Sequence, residues 1–468
     1  MSKTYEIPVE LKQLITPNQA FHYRIVPISN TNGSVTLKTD AEDIKKLAAE
    51  LSVVLQFAST LQASSSEEIQ SYLTTNYRQT TSERKQKLSS TNFLEQLLQT
   101  AKDFNSSDIH LEPYENYCRV RFRLDGKLKT QYSIPLAEYP QLINQIKIKA
   151  NLDISQKRLS QDGRITVKTG TGDFDIRVST MPTLRGEKIV LRILKRDAQT
   201  VELSELGFNS QELEMYLEGI KMPNGIVLIS GPTGSGKTTT LYGTLKLLNE
   251  EQTNILTIED PIEYTLDGIN QVQLKEDIGL DFPSALRTFL RQDPDIIMVG
   301  EIRDEKTANM AIKAALTGHL VLSTIHTNSA WATVSRLIDM GIPPYLIATT
   351  LNVSVAQRLV RKLCPECKKE AEVTKELFPK SFKDASEIKK NYLPTGCNQC
   401  YFTGYQGRTA VYEIIPITPE LEVAIKHNDL QIDTYLAEQN LNTLKTNAIA
   451  LINSGETSID EVYSLLAN

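Results

Sequence analysis

Apolar runs long enough to cross a bilayer are missing from this chain of 468 residues, where a spanning helix needs roughly 18. The opening stretch MSKTYEIPVELKQL also lacks the apolar centre of a signal peptide. These absences predict a cytoplasmic protein with no direct membrane insertion, so that any membrane association comes through partners. There is no excess of positive charge: 51 Lys and Arg stand against 57 Asp and Glu, a formal balance of −6 that gives no general attraction to phosphate backbones. A basic stripe with interleaved aromatics is absent too, which weighs against a nucleic-acid partner. Cysteine is scarce, with five residues, and in an intracellular chain that number points to metal binding or free thiols rather than disulfides. No internal repeat or low-complexity tract stands out. At this length a single core is too small a solution, and about two to four domains are expected.

Residues 1–78 form a first unit, with extended segments at YRIVPI (Tyr23 to Ile28) and SVTLKT (Ser34 to Thr39) ahead of a helical stretch from Ala41 to Leu51. The polar run at 79–90 holds almost nothing to bury and reads as a linker. A second unit spans 91–196. Its helix starts near Thr91 and places Leu94, Leu97, Leu98 and Ala101 on one face. In CRVRFRLDG, Val120, Phe122 and Leu124 alternate with Arg119, Arg121 and Arg123, the period-two pattern of a strand with one basic, solvated face. A helix near Leu142 to Leu152 and the strands RITVKT, FDIRVST and KIVLRIL complete it, with Cys118 as a small core residue. Residues 197–207 link this unit to a third, 208–468, where strands and helices alternate as in an α/β core with a largely parallel sheet.

GIVLIS (Gly225 to Ser230) is an apolar run fit for a buried parallel strand, and it flows into GPTGSGKT and then a helical KTTTLYGTLKLL. The pattern G-x-x-x-x-G-K-T carries weight only in this strand–loop–helix context. Glycines let backbone N–H groups close on phosphate oxygens, and the helix N-terminus adds positive charge. Gly231, Pro232, Thr233, Gly234, Ser235, Gly236, Lys237, Thr238 and Thr239 are therefore the expected ATP-binding residues. Lys237 reaches the β- and γ-phosphates and Thr238 offers a hydroxyl to Mg²⁺. DIIMVGE ends an apolar strand in Glu301, the expected metal-side acid, although Gly300 stands where many P-loop enzymes have an aspartate. LTIEDPIEY supplies Glu259, Asp260 and Glu263, with Glu263 expected in the catalytic set. In GHLVLSTIHTN, His326 is a candidate γ-phosphate sensor, while His319 is read either as a second such group or as a satisfied histidine.

Two C-x-x-C pairs, Cys364–Cys367 and Cys397–Cys400, are separated by a 29-residue insert. Four thiolates in this spacing satisfy tetrahedral Zn²⁺ with no open position, so the expected site is structural, within a subdomain of about 361–410.

These segments together resemble the assembly ATPases of bacterial type II secretion systems and type IV pili. GPTGSGKTTTLY, TIEDPIEY, LRQDPDIIMVGEIRD, TGHLVLSTIHTN, SDIHLEP, QDGR, RVSTMPTLRGEKIVLRIL and GETSIDEV carry the resemblance. It implies a RecA-like P-loop NTPase domain at the C-terminal side, preceded by a smaller mixed α/β domain and an N-terminal docking domain. It implies a homohexamer that uses ATP, Mg²⁺ and Zn²⁺. Its partners would be an inner-membrane platform protein and a membrane-anchored docking protein. Arginines of the smaller domain approach the nucleotide in such proteins, and they carry over as Arg177 and Arg192. Assembly members often hold the four-cysteine site that retraction members lack. Some relatives bind a cyclic dinucleotide through a motif opening in Arg-Leu-Gly; with no such opening here, that ligand is not expected. The modest first unit favours type II secretion over pilus extension, and a RecA-like nucleic-acid motor or a decayed scaffold are the readings from other classes.

Overall fold

The computed structural model describes residues 5, 7–12, 14–31, 34–41, 43–55, 57–77, 93–167, 174–194, 202–397 and 399–467. The expected linker at 79–90, the Thr91 cap and positions 197–201 lie outside them. The chain divides into two compact units. The first is Met1–Arg196 with Cys364–Lys369 and Leu393–Gln406, and the second is Asp197–Leu363, Glu370–Tyr392 and Gly407–Asn468.

The first unit opens with β1 (Ile25–Thr31), β2 (Ser34–Thr39) and β3 (Ala58–Ala63), β2 lying antiparallel to β1 and parallel to β3. A parallel pair needs a crossover, and the helix Ile44–Val54 supplies it. That helix begins later than the sequence pattern suggests because Asp43 caps it, accepting from the Lys46 N–H. Leu47, Leu51, Ile69 and Leu73 cover Ile25, Val35 and Leu37 to make a small core.

A second sheet follows: β4 (Asp108–Pro113), β5 (Tyr117–Leu124), β6 (Lys127–Pro135), β7 (Gln161–Val167), β8 (Phe174–Thr183) and β9 (Gly186–Leu194), antiparallel throughout in the order β6-β5-β4-β9-β8-β7. One face is apolar. Val120, Phe122, Ile109, Leu191 and Ile176 pack there under the helices Phe93–Asp103 and Tyr139–Lys149, with Cys118 in the same core. The other face differs from the solvated surface expected of the β5 arginines. It carries nearly buried carboxylates: Glu112 receives Arg119 at 3.0 Å, Arg121 at 2.6 Å and Lys188 at 3.4 Å, while Asp108 receives Arg123 at 3.2 Å. Period two fixed which side the arginines occupy, but the acids that meet them come from a neighbouring strand.

The second unit is built on β10 (Gly225–Ser230), β11 (Ile255–Glu259), β12 (Asn270–Gln273), β13 (Ile296–Val299), β14 (Leu320–Ile325) and β15 (Leu351–Leu363). After a two-stranded sheet of β16 (Lys368–Ala371) and β17 (Asn391–Pro394), β18 (Tyr405–Pro416) completes a seven-stranded order, β12-β11-β13-β14-β10-β15-β18. From β12 to β15 the neighbours run parallel. β10, β13 and β14 are buried along their whole length, as strands covered on both faces must be. Alternate residues of β10 serve two cores, Ile226 and Leu228 on one side, Val227 and Ile229 on the other. β10 thus sits centrally between β14 and β15, and its carboxyl end opens where an α/β sheet places its ligands.

Candidate nucleotide and metal sites

β10 runs into the Gly231–Gly236 loop and then the helix Lys237–Leu248. Gly231 has a φ of 150°, and a Cβ there would fall 2.4 Å from the Gln357 carbonyl oxygen. Gly236 caps the helix at φ 91°, where a Cβ would meet the Gln357 side-chain amide at 2.9 Å. Only glycine lets the loop pass β15 this closely. Lys237 Nζ donates to the carbonyls of Gly231 at 2.8 Å and Pro232 at 3.2 Å. Burial holds its pKa below the ordinary lysine value, with Arg358 acting the same way and Glu301 opposing. Ser235 Oγ is buried with no hydrogen-bond partner among the described residues. A buried hydroxyl without a partner, a glycine cradle and a lysine over loop carbonyls form a donor set fit for phosphate oxygens.

Glu301 stands two residues beyond the end of β13. Its backbone is fixed from both sides: Gly300 N–H donates to Ile258 O and Ile302 N–H to Thr324 O, each at 2.8 Å, while Thr324 Oγ1 donates to Gly300 O at 2.8 Å. A Cβ at Gly300 would lie 3.2 Å from Ile258 O, a tight approach where many P-loop enzymes have an aspartate. Glu301 pairs with Arg303 and lies 3.4 Å from His326 Nε2, and Arg303 also lies 3.6 Å from Asp260. The hydrogen bond to Glu301 raises the Arg303 pKa further.

The three acids after β11 divide. Glu259 is 3% exposed and accepts from Tyr242 Oη, from Thr257 Oγ1 at 2.6 Å and from Gln271 Nε2 at 3.1 Å. Its lone pairs are thus engaged in a buried network. Glu263 is half-buried, with its N–H donating to Tyr242 Oη at 3.4 Å. Of the two histidines, His319 Nδ1 lies 2.8 Å from Ala314 O at the start of β14, the end away from the Gly231–Gly236 loop. It is a satisfied helix-end histidine. His326, past the other end of β14, is the one brought to Glu301.

Sequence reasoning missed Arg303, Gln357 and Arg358. Gln357 Oε1 accepts from Thr240 Oγ1 at 2.9 Å, and the Arg358 guanidinium donates to Gln357 O at 3.0 Å and Asn328 O at 2.8 Å. Arg303 was legible only as a cation two residues after the acid. The β15 pair had no local signal, because its place beside the phosphate loop comes from strand order.

In the first unit, cross-strand register sets Arg123, Asp108, Arg192, Arg177 and Arg164 in one row over β5, β4, β9, β8 and β7. Arg177 and Arg192 are therefore neighbours there, while Lys237, Glu301, Glu263 and His326 are residues of the second unit.

The four cysteines of the spaced pairs converge, their Sγ atoms all within 4.8 Å of one another. Cys364–Cys397 is 3.7 Å, and Cys367–Cys400 and Cys397–Cys400 are 3.8 Å. A tetrahedron of thiolates about 2.3 Å from Zn²⁺ has edges of about 3.8 Å, so the donor set fits that ion. Cys400 Sγ also accepts from the Cys397 and Gly404 N–H groups, each at 3.2 Å, which suits a thiolate. These segments group with the first unit. Tyr401 stacks on Phe104 at 4.7 Å and its hydroxyl donates to Asp103 O at 3.1 Å, while Lys129 Nζ donates to Tyr401 O at 2.9 Å.

Parallel strand order, phosphate loop and neighbouring acids define a RecA-like P-loop NTPase of the α/β class. Residues 83–464 match the family described as Type II/IV secretion system protein, and the chain belongs to that family of secretion and pilus ATPases. It is 47% identical over 375 residues to the type IV pilus assembly ATPase PilB of Pseudomonas aeruginosa, covering 79% of this chain and 66% of that protein's length. With the type II secretion system protein E of the same organism it shares 43% identity over 360 residues, covering 76% of this chain and 72% of the relative. In fold it is similar to the Legionella pneumophila ATPase DotB, at a TM-score of 0.62 and 23% identity, covering 82% of this chain and 97% of the other.

Proposed function

We propose that this chain hydrolyses ATP to drive assembly of the pseudopilus in type II secretion. It would work as a ring of six copies against an inner-membrane platform protein, held there by a membrane-anchored docking protein. The observation that carries the reading is the glycine cradle with its partnerless Ser235 hydroxyl and half-buried Lys237, flanked by Glu301 and His326. The division proposed is a docking domain at 1–78, an arginine-supplying domain at 91–196 and the ATPase domain at 208–468 with a zinc subdomain at about 361–410.

The N–H groups of Gly231 to Thr239 bind the phosphate oxygens, and Lys237 turns from the loop carbonyls to the β- and γ-phosphates. Thr238 and Glu301 offer the oxygen donors a magnesium ion takes, and that ion when bound neutralises charge between the phosphates. Glu263 polarises the attacking water, the role that the enclosure of Glu259 denies to its neighbour. His326 contacts the γ-phosphate and reports its loss to Glu301, 3.4 Å away. Arg177 and Arg192 stabilise charge developing on the γ-phosphoryl oxygens, and closure and relaxation of the domains convert hydrolysis into motion. The zinc is structural.

Pilus extension is the second reading, favoured by 47% identity to PilB against 43% to protein E, whereas the larger share of the relative's length that is matched, 72% against 66%, favours secretion. A chromosomal Glu301→Gln variant should abolish turnover with the fold kept. Loss of secreted enzymes with surface filaments retained supports secretion. Loss of filaments with secretion intact makes the chain a pilus motor, and wild-type hydrolysis by the purified variant overturns the site itself.

A further inference from the structure

Asp108 is the first residue of β4 and lies opposite Arg192 of β9 on one side and Arg123 of β5 on the other. Its side chain is 7% exposed, whereas that of Arg192 is 59% exposed. Oδ1 accepts from Arg192 Nε at 3.0 Å, and Oδ2 accepts from Ser107 Oγ at 2.8 Å and is ion-paired with Arg123 Nε at 3.2 Å. The two arginines are not equivalent. Arg123, 33% exposed, has its terminal nitrogens engaged on the sheet face, at 2.9 Å from Gly126 O and 3.5 Å from His110 Nε2. Arg192 is gripped through Nε with its head outward. The other buried carboxylate of this face, Glu112, is instead filled by Arg119, Arg121 and Lys188.

From this asymmetry we infer that Asp108 is a positioning residue for Arg192, an inference resting on the role proposed above for that arginine. A guanidinium is planar, so a fixed carboxylate on Nε sets the direction in which its two terminal nitrogens point. Those nitrogens form the fork that suits a phosphoryl group. Asp108 therefore presents the fork before nucleotide arrives. Its contribution falls on the transition state, through an arginine already aimed, and not on nucleotide binding.

The test is ATP hydrolysis by the full-length protein. Asp108→Asn, nearly isosteric, should lower kcat about tenfold to a hundredfold with the KM for ATP changed less than about threefold. Because the carboxylate is nearly buried, its unfolding midpoint should fall by a few degrees, so turnover is read well below that midpoint. Arg192→Ala should lower kcat about a thousandfold, and the double variant should match it, because Asp108 has nothing left to aim. Added guanidinium should partly restore Arg192→Ala but not the double variant. Wild-type kcat in Asp108→Asn beside an impaired Arg192→Ala overturns the inference, as do two losses that multiply. Wild-type kcat in Arg192→Ala instead sinks the role of Arg192 itself, and the inference with it. Should Asp108→Asn fail to fold, Arg192→Lys decides. Its single ammonium can meet Asp108 or the phosphate but not both, so retained turnover in that variant overturns the inference.

Discussion

Glu259 and Glu263, four residues apart, should respond to the same substitution in opposite ways. Glu259→Gln replaces one acceptor oxygen by an amide that cannot accept. The Tyr242 hydroxyl, Thr257 hydroxyl and Gln271 amide all donate into this carboxylate within a buried pocket. At least one of these donors is then left facing another donor, at about 1–3 kcal/mol for an unsatisfied buried group, and the charge that strengthened the rest is gone. A total of about 2–4 kcal/mol follows, or a fall of about 4–16 °C in the unfolding midpoint for a unit of this size. Glu263→Gln changes a half-buried side chain to one of the same size and leaves its N–H bond to Tyr242 Oη in place, so its midpoint should fall by less than that of Glu259→Gln while hydrolysis falls about a hundredfold or more. Calorimetry and steady-state ATP hydrolysis on both variants decide the matter. A midpoint unchanged in Glu259→Gln, or turnover unchanged in Glu263→Gln, would refute the division of labour.

Three further outcomes are expected. Purified without chelator, the protein should hold about one zinc per chain, and Cys364→Ser should lose most of it; less than about half a zinc in the wild type would rule out the tetrahedral site. Burial pushes the Glu112 carboxyl up, but Arg121 and Arg119 hold it below the ordinary value of 4.5, so its stabilising contribution is complete above that pH and is lost as pH falls through the lower folded value. The stability gap between wild type and Glu112→Gln should therefore narrow below about pH 4.5, and a gap constant from neutral pH to pH 3 would contradict this. Tyr401→Ala removes the stack on Phe104 and the hydrogen bond to Asp103, and should cost about 1–3 kcal/mol in chemical denaturation with zinc retained.

The sequence alone determined whatever rests on neighbours in the chain. The apolar run at 225–230 followed by G-x-x-x-x-G-K-T reads as a buried strand entering a phosphate loop. The structure has the reason for its glycines: a φ of 91° at Gly236 and, at Gly231, a carbonyl 2.4 Å from where a Cβ would be, which no other residue tolerates. Alternation placed Val120 and Phe122 inward, and the paired C-x-x-C spacings marked the four cysteines whose Sγ atoms converge. Tertiary structure decided everything that depends on which strands lie side by side. Glu259 and Glu263 look alike in TIEDPIEY, and only Tyr242 on the helix after the loop and Gln271 on β12 enclose the first. His319 and His326 look alike as histidines flanking one strand, yet a parallel strand has one end at the ligand and one away from it, so only His326 meets Glu301. At Gly300, where an aspartate is common, β11 passes 3.2 Å from where a Cβ would be, a closeness that no local signal announces. The β5 arginines, legible as a basic face, are ion-paired because β4 brings Asp108 and Glu112 beneath them. Periodicity fixes the face a side chain occupies, whereas its partners come from register and strand order, which a single sequence does not spell out.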